Sequence, residues 1–235
     1  MPDLPIYPQT REAPGYALER RLSRLIESSS ESYASVRETL RIRCARETLR
    51  LTGAGDESDA SELSRAQLVA LELIEEGASK ASEPDVALIR EVHRIANADA
   101  VGSFRVHDAE PQFRNARPSP PRFIHSKLDN LLQWLSAASG REMFPAARMA
   151  LWFARFVEIA PFERGNFRTA HLLTNFFAAT VGFPPVTLVL EDAAVIRSEV
   201  ERAIQFDTAP LVERFSQAIE ISLRICEEAA AREAE

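Results

Sequence analysis

Residues 159–175 read I-A-P-F-E-R-G-N-F-R-T-A-H-L-L-T-N. An apolar lead-in meets a Pro-Phe corner, a Gly-Asn turn follows, and an amphipathic run starts at Arg168. The pattern predicts a helix, a tight loop and the N-terminus of a second helix. The first amides of such a helix lack intrahelical partners and its dipole end is positive, so it attracts phosphate. The rest of the chain is placed around this helix pair.

Immediately upstream, residues 144–159 are almost continuously apolar through Ala150, Leu151, Trp152, Phe153, Phe156 and Val157, which predicts a buried helix. Downstream, helical patterning continues over 168–181, 190–204 and 211–230. Toward the N-terminus, Leu18, Leu22, Leu25 and Ile26 carry one helical stripe, and Val36, Leu40, Ile42 and Leu49 a second. The second stops at Thr52-Gly53-Ala54-Gly55, where glycine supplies a C-cap. Leu63, Leu68, Leu71 and Leu73 mark a third helix. A fourth starts after Ser82-Glu83-Pro84, with Val86, Leu88, Ile89, Val92 and Ile95 as its apolar face. Ile124, Leu128, Leu131, Leu132 and Leu135 mark another.

Helical patterning fails only between Val101 and Pro121. Residues 101–106 alternate like a strand, and Gln112-Phe113-Arg114 supplies a return partner, so a short β-hairpin is expected there. The chain therefore reads as all-α with one hairpin. Three regions are expected: a proline-rich arm over 1–15, an N-terminal helical region over 16–84 and a core domain over 85–235.

Composition narrows the function. The chain has 235 residues, 46% of them hydrophobic and 27% charged, as in soluble globular proteins. Its net charge of −7 argues against general nucleic-acid binding. Lys80 and Lys127 are its only lysines; arginine and alanine abound, which suggests a GC-rich, bacterial genome. Cys44 and Cys226 form neither a metal-ligand spacing nor a disulfide framework, as expected of structural thiols in a reducing compartment. The N-terminus lacks a signal-peptide pattern, and the apolar stretch 176–190 is broken by Gly182, Pro184 and Pro185. A cytoplasmic protein without membrane contact is expected.

The stretch 160–171 resembles the signature of the Fic/Doc (Fido) family of nucleotidyl-transferases, H-P-F-x-D/E-G-N-G-R-x-x-R. The resemblance extends in order through Val92-His93-Arg94-Ile95, Gly102-Ser103-Phe104-Arg105, Pro120-Pro121 and Trp134. It covers residues 85–225 well and 30–84 more loosely. It implies a Fic-fold helical bundle with a hairpin flap, and transfer of AMP from ATP with magnesium to a protein hydroxyl. Pro161, Phe162, Gly165, Asn166 and Arg168 match the signature. Gly165, Asn166 and Arg168, with Arg164, are the candidate phosphate-binding residues.

Four positions depart from it. The family's histidine is the general base, and Ala160 stands in its place; losing a positioned base costs about 10²–10⁴ in rate. Arg164 replaces the acidic magnesium ligand, and Glu163 lies one place early. Phe167 replaces the second glycine of the anion nest, where a bulky side chain is expected to fill the nest. His171 replaces the last arginine, which contacts the far phosphates; on a helix it is more often a satisfied polar residue than a base. No metal ligand remains, and no cofactor is expected, since these residues disfavour ATP with magnesium.

Many family members silence themselves with an upstream helix bearing S/T-x-x-x-E-G/N, whose glutamate pairs with the last arginine. The nearest match here runs Thr48 to Gly53, with Thr52 at the glutamate position, so both halves of that salt bridge are absent. The hairpin carries Arg105, Arg114, Arg117 and Arg122 with His107. The resemblance implies that such a flap pairs with a target peptide by strand addition; the plainer reading is a solvated loop face.

Three functions stay open at this point. One is an inactive member acting as a protein-binding or regulatory module, its partner an active Fic protein, a target peptide at the flap or a second copy of itself. Another is a metal-independent transferase using Arg164, Arg168 and His171. The third is a purely structural helical domain.

Overall fold

The computed structural model describes residues 14–28, 30–51, 60–80, 84–98, 101–113, 116–137, 140, 142–188 and 193–233. Nine helices lie within them: α1 (Pro14–Ser28), α2 (Ser30–Leu51), α3 (Ala60–Lys80), α4 (Val86–Ala96), α5 (Ile124–Ser136), α6 (Pro145–Ile159), α7 (Asn166–Ala179), α8 (Ala193–Ile204) and α9 (Ala209–Glu233). The chain is all-α, as its patterning predicts. Of the expected proline-rich arm, only Pro14 and Gly15 fall within the described residues, and they open α1.

Local chemistry sets the ends of these helices. Asp85 caps α4 by accepting the Leu88 N–H at 2.7 Å. Pro145 opens α6, where a missing N–H costs nothing. The helices α6 and α7 form the centre. Trp152, Phe153, Phe156, Phe176 and Phe177 on them are fully buried, and the Trp152 indole N–H donates to the Ala170 carbonyl at 3.3 Å. Burying each such ring stabilises the fold by roughly 1.5–3 kcal/mol before entropy is counted. Helices α2, α3 and α4 pack on α7, while α5, α8 and α9 pack on α6. The helices preceding α4 are thereby built into the same core as α7.

The expected hairpin is replaced by an extended loop. Among the described residues it holds a single isolated bridge, Phe113 to Ala116. The reason lies at Arg105: its backbone N–H donates at 2.9 Å to the Pro161 carbonyl in the α6–α7 loop, so the would-be first strand pairs with that loop instead of folding back on itself. Arg114 lies outside the described residues.

Beyond α7, residues 183–188 run extended and buried. The Asn175 carboxamide holds them at both faces of Val186, accepting its N–H at 2.7 Å and donating to its carbonyl at 3.2 Å. Cys44 and Cys226 are buried free thiols. No described helix is long and apolar enough to cross a membrane.

Candidate functional site

Helix α6 ends with its C-cap Ala160 in the left-handed conformation at φ 47°, its N–H donating to the Phe156 carbonyl at 2.9 Å. Proline follows, and Phe162 then turns inward. Its ring stacks on His93 of α4 at 3.5 Å, nearly parallel to it, and meets Phe104 at 5.3 Å. Asn166 closes the loop from below. Its Oδ1 accepts the Phe162 N–H at 2.9 Å and its Nδ2 donates to the Phe162 carbonyl at 2.7 Å. One buried carboxamide thus satisfies both backbone groups of the corner.

Gly165 caps α7 at φ +70°. A Cβ built there would sit 2.1 Å from Asn97 Oδ1, so this position demands glycine twice over, by conformation and by space. Thr169, one turn into α7, donates its hydroxyl to the Gly165 carbonyl at 3.0 Å and lies 3.0 Å from His93 Nδ1.

The substituted positions divide by burial. Ala160 is sealed, with about 1% of its surface exposed. Glu163 and Arg164 are exposed at the loop tip. Phe167 departs from the sequence-based expectation: it lies inside α7, and its ring turns away from the loop to meet Phe153 edge-on at 4.9 Å. It therefore leaves the nest unfilled and adds to the core. The left-handed conformation falls on Gly165, the first glycine of the signature, so a side chain two places later meets no backbone penalty.

His171 is completely buried. Its Nε2 accepts the Leu188 N–H at 3.3 Å, which places the ring proton on Nδ1, where it is donated to Thr48 Oγ1 at 2.9 Å. The Thr48 hydroxyl donates in turn to the Cys44 carbonyl at 2.7 Å. Burial pushes the imidazole pKa down to about 4, so the ring is neutral. A side chain with both nitrogens engaged and no exposed surface has no free nitrogen to offer an incoming substrate as a base. The same bond links Thr48 of α2, the expected start of an inhibitory motif, to the last signature position. Thr52 lies outside the described residues.

Arg168 is half-buried. Its Nη1 donates to the Ala96 carbonyl at 3.3 Å and to Asn97 Oδ1 at 3.4 Å, and burial pushes its pKa down. The guanidinium so faces the C-terminal carbonyls of α4, whose dipole end is negative.

Arg105 also differs from expectation. In place of an exposed, target-facing arginine, its guanidinium is spent inside the protein. Nε donates to the Ala160 carbonyl at 2.7 Å, Nη1 to His107 at 2.7 Å, and Nη2 to the carbonyls of Ile159, at 3.4 Å, and Ser119. Burial lowers its pKa, with Glu163 and Asp108 pulling it back up. It staples the flap loop to the end of α6. Arg117 and Arg122 are exposed, with Arg122 over the half-exposed ring of Phe123 at 4.7 Å. On the far side of the flap, Arg197 of α8 lies over the Phe113 ring at 5.8 Å.

Asn97 escaped the sequence reading, and His93 and Thr169 were quoted only within Val92-His93-Arg94-Ile95 and the stretch 159–175, without a role of their own. A helix end does not disclose what it faces. Among the described residues, no group of three or more His, Cys, Asp or Glu could hold a metal ion.

A family model described as the Fic/DOC family matches residues 83–178. The protein adenylyltransferase fic-1 of Caenorhabditis elegans is 31% identical over 138 residues, which is 58% of this chain and 27% of that protein. The chain thus spans about a quarter of the length of the curated relatives it matches. A Fic domain-containing signaling protein from Bacteroides thetaiotaomicron superposes with a TM-score of 0.83 at 21% identity, over 93% of this chain and 98% of that one. The structure of IbpAFic2 covalently tethered to Cdc42 superposes at 0.52 with 16% identity, over 92% of this chain and 70% of the other. At these identities the structural likeness establishes the fold alone.

Proposed function

Residues 83–178 of this chain form a Fic/DOC-family domain within a Fic fold, and from that premise we propose that the protein is inactive as an adenylyltransferase and acts as a protein-binding or regulatory module. The observation that carries this reading is the pairing of Ala160 with His171. The position of the family's base is a sealed alanine, and the only histidine in the signature stretch is bolted between Thr48 and Leu188.

The ligand chemistry supports it. Magnesium is bound through one or two carboxylates plus phosphate oxygens and water. The loop offers one exposed carboxylate, Glu163, followed by Arg164 and, one turn into α7, Arg168. That donor set does not fit a divalent cation. A nucleotide's phosphates would meet only the α7 N-terminus and the two arginines.

A protein partner is favoured by what the flap presents. Val106, Arg117, Arg122 and Phe123 are exposed along it, with Asp108 and Glu110, a mixed apolar and charged surface. IbpAFic2 is covalently tethered to Cdc42 in its structure, which sets a protein against the same fold.

The decisive assay incubates the full chain with radiolabelled ATP, magnesium and a small GTPase such as Cdc42. No label should move to the GTPase or to the chain itself, and transfer would sink the reading. The binding half is tested by co-purification from the source organism with wild type and with Arg117→Glu/Arg122→Glu. A partner retained equally by both forms would remove the flap from the proposal.

A further inference from the structure

The corner between α8 and α9 departs from the residue choice that its own backbone favours. Helix α8 ends in a Schellman turn: the Asp207 N–H donates to the Arg202 carbonyl at 3.0 Å and the Phe206 N–H to the Ala203 carbonyl at 3.1 Å. That turn puts residue 206 in the left-handed region, at φ 72°, where glycine is the usual occupant. Phenylalanine stands there instead, and its ring does not offset the strain by entering the core, since 54% of the residue's surface is exposed. A single exposed apolar side chain is ordinary. A bulky one held at a glycine position is not, and backbone strain of this kind is kept where a surface has work to do.

The surroundings hold the ring in place. The Arg155 guanidinium lies 4.4 Å from the ring centroid. It is itself fixed by Glu158 at 2.6 Å and by the carbonyls of Ile204 at 3.1 Å and Ala203 at 3.4 Å. An aromatic ring clamped on a fixed cation and half open to solvent is ordered before a partner arrives, which suits it as a binding anchor. Charge lies beside it as one cation and one anion. Arg202 Nε and Nη2 both reach Asp207 Oδ2, at 2.8 and 2.6 Å. Arg202 Nη1 and Asp207 Oδ1 keep no partner among the described residues, and the two side chains are 54% and 50% exposed.

We propose that this corner is a self-association surface, and that its occupant is the same corner of a second copy of the chain. A patch with one cation and one anion beside an aromatic ring is complementary to itself under a two-fold rotation. Phe206 meets Phe206 of the second copy, Arg202 meets the second copy's Asp207, and Asp207 meets its Arg202. A partner of one sign of charge would match half of the patch, whereas a second copy matches all of it. The patch is small, so the dimer is a weak and reversible one. It shares no residue with the flap surface of Val106, Arg117, Arg122 and Phe123, and it does not rest on the protein-binding reading there.

The test is sedimentation velocity of the full chain over a concentration series reaching the submillimolar range. Wild type is expected to shift reversibly from monomer to dimer. Phe206→Gly suits the backbone and is expected to weaken the dimer by about tenfold or more, the effect of removing an anchor side chain. Arg202→Asp and Asp207→Arg each place like charges across the two-fold, and each alone is expected to stay monomeric. The exposed intrachain pair that they break contributes little to folding. Mixed one to one, the two variants restore both cross-pairs, and a heterodimer of about wild-type affinity is expected. A wild type that stays monomeric throughout overturns the proposal and leaves Phe206 to a different protein. A Phe206→Gly dimer as tight as wild type overturns it as well, as does a mixture of the two charge variants that fails to associate.

Discussion

Replacing His171 by arginine restores the residue that the Fic signature carries there, and it should bring the protein close to unfolding instead of repairing it. The imidazole titrates near 4 in place of 6.5 because it is wholly buried. At about 1.4 kcal/mol per pKa unit, holding a positive charge in this pocket costs about 3 kcal/mol. A guanidinium cannot escape that cost by losing its proton. The Leu188 N–H would also lose its acceptor, a further cost of about 1–3 kcal/mol. Fitting the longer side chain between α2 and α7 adds about 1–3 kcal/mol of overpacking. These costs together consume most of the roughly 5–15 kcal/mol that a domain possesses. Urea unfolding at pH 7.5, followed by far-ultraviolet circular dichroism, measures the loss. His171→Gln, which can still accept from Leu188 and donate to Thr48, should lose far less. An arginine variant with the wild-type urea midpoint would refute the reasoning, since it would mean that α2 stands aside or that water reaches the pocket. The same burial fixes a pH dependence. Between pH 6.5 and 4 the unfolded chain binds a proton at His171 that the folded chain refuses. The stability due to the neutral ring is therefore complete above pH 6.5 and falls by up to about 3 kcal/mol as the pH drops to 4. His171→Gln should flatten that part of the profile, and an unchanged slope would contradict the assignment.

Other substitutions probe the loop itself. Arg105→Met removes the donors of four backbone carbonyls, two of them at the end of α6. At about 1–3 kcal/mol per buried acceptor left unmet, the urea midpoint should fall by the equivalent of about 3 kcal/mol or more. A surface arginine would lose almost nothing. Gly165→Ala meets both a φ of +70° and the Asn97 carboxamide, so a loss of about 2 kcal/mol or more is expected by the same measurement. Phe206 sits at φ 72° after α8, with the Arg155 guanidinium 4.4 Å over its ring. Phe206→Gly should be close to neutral, because relief of about 1 kcal/mol of strain offsets a cation–π contact of about 0.5–1 kcal/mol. Phe206→Ala keeps the strain and loses the contact, so it should unfold at lower urea than the glycine variant.

The helices were legible because each buries a stripe of period 3.6, and local caps such as Asp85 and Pro145 mark their starts. The loop 101–121 was misread as a hairpin because alternation cannot tell which backbone a strand will pair with. Residue 105 finds its partner at Pro161, 56 positions away by the numbering. Phe167 was misread for a related reason: a sequence shows that glycine is missing but not which glycine of a pair bears the left-handed backbone. His171 became interpretable only with Thr48, a residue 123 positions distant. Asn97 had no signal of its own, since its role is set by the close approach of two helix ends.

Sorting the signature by contact explains which of its residues this chain carries. Phe162 stacks on His93, Asn166 clamps the corner, Gly165 admits Asn97, and Arg168 holds the end of α4. Every one of these contacts is internal, and together they join α4, α6 and α7. A loop that had lost them would have left the buried carbonyls and amides of the corner unmet. The departures occur where the resemblance implies a role toward ligand alone: the base, the metal ligand, the open nest and the distal phosphate contact. Two of the four have then gained structural work, Phe167 against Phe153 and His171 between Thr48 and Leu188. The neutral Thr48–His171 bond involves the last signature position, where the resemblance places an arginine, and a neutral pair can be sealed without the desolvation penalty of buried ions. Helix α2 is therefore fixed to α7 as part of the core. Because Phe167 packs on Phe153 and His171 joins Thr48 to Leu188, restoring either position to the signature residue removes contacts that hold helices together.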